Sequence, residues 1–117
     1  MRQIPAWMLT GSASYYTVTE NDYGQSVPCD DDDAIPLTGI YVEIIDRLTL
    51  QTTGERPNID AVLYFDAENS YPSDQLFRKK EMVKYLGDMY LIREVKPFVN
   101  PMTNDLHHWE VSLVSNG

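Results

Sequence analysis

Short runs of β-branched and aromatic residues, set apart at regular spacing by Gly, Pro, Asn and Asp, make up most of this chain, and nowhere does it carry a helical stripe of three turns. A strand needs only a period of two to bury one face, whereas a helix needs apolar residues at i, i+3, i+4 and i+7. The expected class is therefore all-β: a small antiparallel β-barrel or rolled sandwich of about six strands, with at most one short helix. At 117 residues the chain reads as a single domain, long enough to remove somewhat under ~70% of its unfolded surface from water.

The clearest local feature is "MVKYLGDMYLIREV". Gly87-Asp88 separates two apolar runs at the spacing of a two-residue hairpin, with Gly supplying positive φ at the first central position. Residues 82–86 and 89–95 are expected to pair antiparallel. Further strands are expected at Ser12–Thr19, closed by a turn at Asn21, Asp22 and Gly24, at 39–46, at a short stretch 47–52, at 59–66, and at Leu106–Val114. Ser73 and Asp74 can cap one helical turn. Alternation places Ile40, Val42, Ile44, Leu63, Phe65, Leu91 and Val111 in the core. The stretch "SVPCDDDDAIPL" joins four mutually repelling carboxylates to two prolines that deny ladder bonds, so 26–36 reads as a mobile acidic loop.

Charge narrows the partners. The net charge is −9, which opposes a protein that grips nucleic acid by neutralising phosphates. Residues 1–60 carry ten acidic and three basic side chains, and 61–117 carry eight and six. The basic ones concentrate at Arg78, Lys79, Lys80 and Lys84. A surface so divided suits head-to-tail contact with its own neighbour. Cys29 is the only cysteine, so no internal disulfide forms. The first residues, "MRQIPAWMLTGSAS", read as too short and too broken by Pro5 for a secretion signal, and no membrane contact is expected.

"LHHWEVSLV" holds both histidines and a nearby carboxylate. In an extended strand Trp109, Val111 and Leu113 share one face with His107, and His108, Glu110 and Ser112 share the other. Adjacent histidines then diverge and cannot both reach one ion, and neither a third histidine nor a second cysteine completes a zinc site. What remains is a structural pair, His108 and Glu110, about 7 Å apart along the strand. Asp30, Asp31, Asp32 and Asp33 lack the alternating spacing and sixth-position glycine of a calcium loop, and Asp66, Glu68 and Ser70 fail the same test. No nucleophile elbow or phosphate loop occurs, so neither catalysis nor a cofactor or metal is expected. Eight tyrosines and two tryptophans exceed what one small core holds, which favours an interaction protein over a catalyst.

The order of "IPAWML", the Asp22-Tyr23-Gly24 turn, "AVLYFDAENSYP" from Ala61 to Pro72, "VKYLGDMYLIREVKPF" and "NDLHHWEVSLV" resembles the small minor capsid proteins encoded in the head-to-tail gene cluster of long-tailed phages and prophages of Gram-positive bacteria. The resemblance spans nearly the whole chain. It implies a head-closure, or stopper, subunit at the head–tail junction of the virion, assembled in the bacterial cytoplasm. Such a subunit forms a ring with its own copies beneath the portal and adaptor ring, meets a tail terminator or tail completion protein, and lets packaged DNA pass without sequence-specific binding. Asp30–Asp33 would then face the channel or a partner ring, and Arg78, Lys79, Lys80 and Lys84 would face acidic groups on a neighbour. Two alternatives are a tail-side neck or terminator subunit and, from another class, an oligonucleotide-binding-type barrel whose tyrosines stack bases.

Overall fold

The computed structural model describes residues 6–45 and 59–115. The strand expected at 47–52 lies outside them. Eight strands are formed among the described residues: β1 (Gly11–Tyr16), β2 (Val18–Glu20), β3 (Ser26–Pro28), β4 (Ile35–Ile44), β5 (Ala61–Asp66), β6 (Met82–Tyr85), β7 (Asp88–Val99) and β8 (Leu106–Ser115). Six of them close an antiparallel barrel in the order β1-β4-β5-β8-β7-β6, and β2 and β3 form a separate two-stranded sheet. Among the described residues, helical structure is limited to two three-residue 3-10 turns, Ala6–Met8 and Asp31–Asp33. The class expected from the strand pattern is the one observed.

Register explains the core. Val42 pairs with Leu63 and Leu63 with Val111, while Ile40 pairs with Phe65 and Phe65 with Trp109. Cross-strand partners point to the same face, so these rows stack as layers inside the barrel. Ile40, Leu63 and Val111 are wholly buried, and burial of each such side chain stabilises by roughly 1.5–3 kcal/mol. Phe77, from the long connection between β5 and β6, plugs one mouth and meets Tyr15, Phe65 and Trp109 edge to face at 5.3 to 6.3 Å.

Three bulges give the barrel its shape, each adding one residue to one strand of a pair: Gly39 on β4, Arg93 on β7 and His107 on β8. Gly39 has φ +66°, and a Cβ there would lie 2.4 Å from the Asn69 carbonyl oxygen, so only glycine fits. The Arg93 bulge reverses the phase of β7. It turns Ile92 and Val95 toward the core and leaves Leu91 half-buried on the outer face, which corrects its expected place inside. Ile44 is also corrected. It lies at the barrel mouth beyond the last packed layer and is 59% exposed.

The hairpin between β6 and β7 is present, but its turn is shifted by one residue. Tyr85 pairs with Asp88, so Leu86 and Gly87 are the central residues, with φ of 51° and 84°, as a type I′ turn requires. The first strand breaks at Thr17, and the Asn21–Gln25 turn forms as expected, with Gly24 at φ 74°. At 72–75 a simple turn from Pro72 O to Gln75 N replaces the helical turn expected at Ser73 and Asp74.

The segment read as a loop is largely structured: Ser26–Pro28 is strand, Asp31–Asp33 is a 3-10 turn, and Ile35 and Pro36 begin β4. Proline does not prevent this. Each antiparallel neighbour uses only every other residue's amide, so a proline whose nitrogen faces an open side leaves the ladder intact.

Candidate functional site

The charged groups singled out in the sequence converge on one end of the barrel, around the end of β1. β4 flanks β1 on one side and β6 on the other. The acidic turn leads into β4, and the basic segment leads into β6. β1 ends in two buried tyrosines that fasten both approaches. Tyr16 donates its hydroxyl to Asp31 Oδ1 at 2.7 Å, and this bond, with burial second, pushes the phenol up to about 12. Tyr15 donates to Glu81 Oε1, and its own oxygen accepts from the Arg78 amide at 3.2 Å. Burial first, and the Glu81 carboxylate second, raise the Tyr15 phenol well above its ordinary value. Glu81 Oε2 also accepts from the Val18 amide at 3.3 Å, tying the β2–β3 hairpin to the base of β6.

These anchors leave the outward charges unspent. Asp30–Asp33 and Arg78, Lys79 and Lys80 are exposed, and Lys84 is half-buried on β6. None of these cations pairs with a described carboxylate, and Asp30, Asp32 and Asp33 pair with no described cation. Sequence reasoning named both patches but missed Tyr15, Tyr16 and Glu81. Only three-dimensional pairing brings Glu81 to Tyr15, 66 residues away in sequence.

The histidine pair sits on the outer face, one row from a tyrosine stack. His108 Nε2 lies 2.9 Å from Glu110 Oε2, so the pair expected on one strand face is in direct contact. The expected divergence of the two histidines is corrected. His107 is the extra residue of a bulge, and its ring swings to the His108 side, placing the two Nδ1 atoms 2.7 Å apart. With Glu110 accepting from His108 Nε2–H, His108 Nδ1 accepts from His107 Nδ1–H in the neutral pair. Phe98 stacks on His108 at 4.8 Å, with planes 3° apart. Stacking and hydrogen bonds hold the arrangement in place, and no group of three metal-ligating side chains occurs among the described residues. Nearby, Tyr41 and Tyr64 stack on each other at 5.7 Å on the face that also carries Glu43 and Glu110.

Asp66 closes the turn after β5. Its Oδ2 accepts from the amides of Glu68 and Asn69 and from the Asn69 side chain at 2.9 to 3.0 Å, so the carboxylate is spent on local structure.

Residues 5–113 match the minor capsid protein family. The chain belongs to that family. This minor capsid chain is therefore a structural component of a phage virion, as the order of its segments implied. Among solved structures, it resembles the solution structure of protein SF1141 from Shigella flexneri 2a, with 12% identity, a TM-score of 0.51, and coverage of 94% of this chain and 95% of that one. At that identity the likeness concerns the fold. A comparison with curated proteins returns no match. No described helix is long and apolar enough to cross a membrane.

Proposed function

We propose that this minor capsid protein is the head-closure subunit of a long-tailed phage neck. It forms a ring beneath the portal and adaptor after packaging, closes the DNA-filled head, and offers a surface to a tail terminator or tail completion protein. The observation that supports this reading is the charge arrangement around the end of β1, with carboxylates on one flank and cations on the other that form no ion pair with a described residue. Opposite patches on opposite flanks favour a heterologous contact, which repeats from subunit to subunit and closes into a ring where the rotation permits. Copies of a chain with net charge −9 repel one another in dilute solution, so the ring forms on a template that supplies local concentration. The same acidic balance along a channel wall lets DNA slide past without adhering.

The subunit acts by binding and gating, with no covalent chemistry and no cofactor. Electron cryomicroscopy of particles carrying this chain tests the assignment. A ring of barrels between the adaptor and the tail terminator is expected. Barrels found only on the tail side of the terminator, or outside the neck, would overturn it.

A further inference from the structure

The barrel closes unevenly. β6 has four residues and β7 has twelve, so β6 pairs only with the stretch from Asp88 to Leu91. The last backbone bonds on that side join Lys80 N to Ile92 O at 2.9 Å and Ile92 N to Glu81 O at 2.8 Å. Beyond Ile92, no described residue bonds the backbone of β7 on that side. The phase change at Arg93 determines which groups stand open. Asn100 N bonds to Asp105 O on the β8 side at 2.8 Å, so the even-numbered residues after the bulge serve β8. Val95, Pro97 and Val99 therefore direct their backbone groups to the open side. Pro97 agrees with this assignment, because its nitrogen has no hydrogen to give the ladder.

Among the described residues, a second open edge lies on β3. Cys29 N bonds to Thr17 O at 2.8 Å and Asn21 N to Gln25 O at 3.0 Å, which sets the odd-numbered residues of β3 toward β2. Ser26 and Pro28 consequently face outward, again with a proline nitrogen on the open side. The opposite edge of this small sheet is held within its own protomer through Val18 and Glu81. β3 is the edge left for a partner.

The charges beside the two edges are complementary. Lys80, bonded to Ile92, stands at the start of the open stretch with Arg78 and Lys79 just before it, and Arg93 and Lys96 are exposed along it. β3 runs within three residues into the Asp31–Asp33 turn.

We propose that the β3 edge of one copy adds to the open β7 edge of the next, extending the sheet between subunits and laying the acidic turn against the neighbour's Arg78–Lys80 segment. The inference rests on the ring reading above and names its contact. Main-chain bonds give such an addition its affinity. Each edge lacks one donor because of its proline, which weakens any pairing there and leaves the charges to select the partner.

Val27→Cys with Lys96→Cys in a Cys29→Ser background tests the contact, and all three positions lie outside the core. In an antiparallel addition Ser26 and Pro28 face odd-numbered residues of β7, so Val27 faces an even-numbered one on the same side. Oxidation of particles carrying this variant should give a ladder of dimers, trimers and longer species, while either single cysteine gives dimers at most. Adding Lys79→Glu and Lys80→Glu should abolish the ladder, and Asp32→Lys with Asp33→Lys should restore it. Particles that contain the double variant yet yield only monomers would overturn the proposal. If the variant is excluded from particles, oxidation of the purified chain at physiological salt, concentrated enough to replace the template, decides instead: a ladder supports the contact and its absence overturns it. A ladder from particles whose neck lacks this chain would uphold the contact and refute head closure. A neck ring without a ladder would do the reverse.

Discussion

β5 and β7 are both barrel strands, but their neighbours treat them differently. β5 is bonded to β4 on one side from Ala61 to Phe65 and to β8 on the other from Ala61 to Asp66. β7 has β8 along its length and β6 for only its first third. A strand held on both sides can contribute only to stability. A strand held on one side has backbone groups left for another chain. Substitutions in β5 should therefore be read in unfolding experiments, and those in the second half of β7 in assembly.

The largest expected effect lies in β5. Leu63→Ala should cost on the order of 2–5 kcal/mol in chemical denaturation, because the side chain is wholly buried between Val42 and Val111. A cost below about 1 kcal/mol would mean that the layer collapses around the gap and the contrast between the strands is weak.

Next come two glycines that both have positive φ and differ in surroundings. Gly39→Ala meets the Asn69 carbonyl, and its bulge also holds Ser70 Oγ against the Gly39 carbonyl, so a loss of about 2–3 kcal/mol is expected. Gly87→Ala has open space around it and should lose about 1 kcal/mol from backbone strain alone. Equal losses at the two sites would show that strain dominates and the close approach does not matter.

A smaller effect concerns the anchor of the acidic turn. Tyr16 holds its proton more tightly in the folded chain, with its phenol pushed up to about 12 from 10.0 by the bond to Asp31. Its contribution is fully present below pH 10.0, declines as the unfolded phenol ionises, and is gone above pH of about 12. Urea unfolding across that window should show falling stability, and Tyr16→Phe should flatten part of the fall. A residual decline is expected from Tyr15, which burial and Glu81 shift in the same direction. An identical profile in the variant would remove Tyr16 from the account.

The smallest effect on stability belongs to the open edge. Lys96→Ala should change unfolding by no more than about 0.5 kcal/mol, since the side chain is exposed and its contact with Glu94 is long, at 4.0 Å. A larger loss would indicate that this edge is already engaged within the protomer.

The same contrast explains what could be read from sequence. In β5 strict alternation met regular register on both sides, so Leu63 and Phe65 were placed correctly inside. In β7 and β8 the alternation was broken by an added residue at Arg93 and another at His107, and the side chains next to those bulges were misassigned. Leu91 moved outward and the two histidines came together. A bulge is set by pairing with a neighbouring strand, which local composition does not record. The Gly39 bulge was missed as well, because the strand expected there began at residue 39, whereas β4 starts at Ile35. The acidic stretch was misread for a related reason. Repulsion among its aspartates is visible in sequence, whereas the Tyr16 hydroxyl that donates to Asp31 arrives from another strand.

The most direct test of the central claim is in-vitro complementation of DNA-filled heads that lack this subunit. Purified protein should restore both retention of the packaged DNA and attachment of tails, while a variant with Lys79→Glu and Lys80→Glu folds normally and restores neither. Heads that leak DNA and refuse tails in the presence of the unaltered protein would contradict the head-closure account.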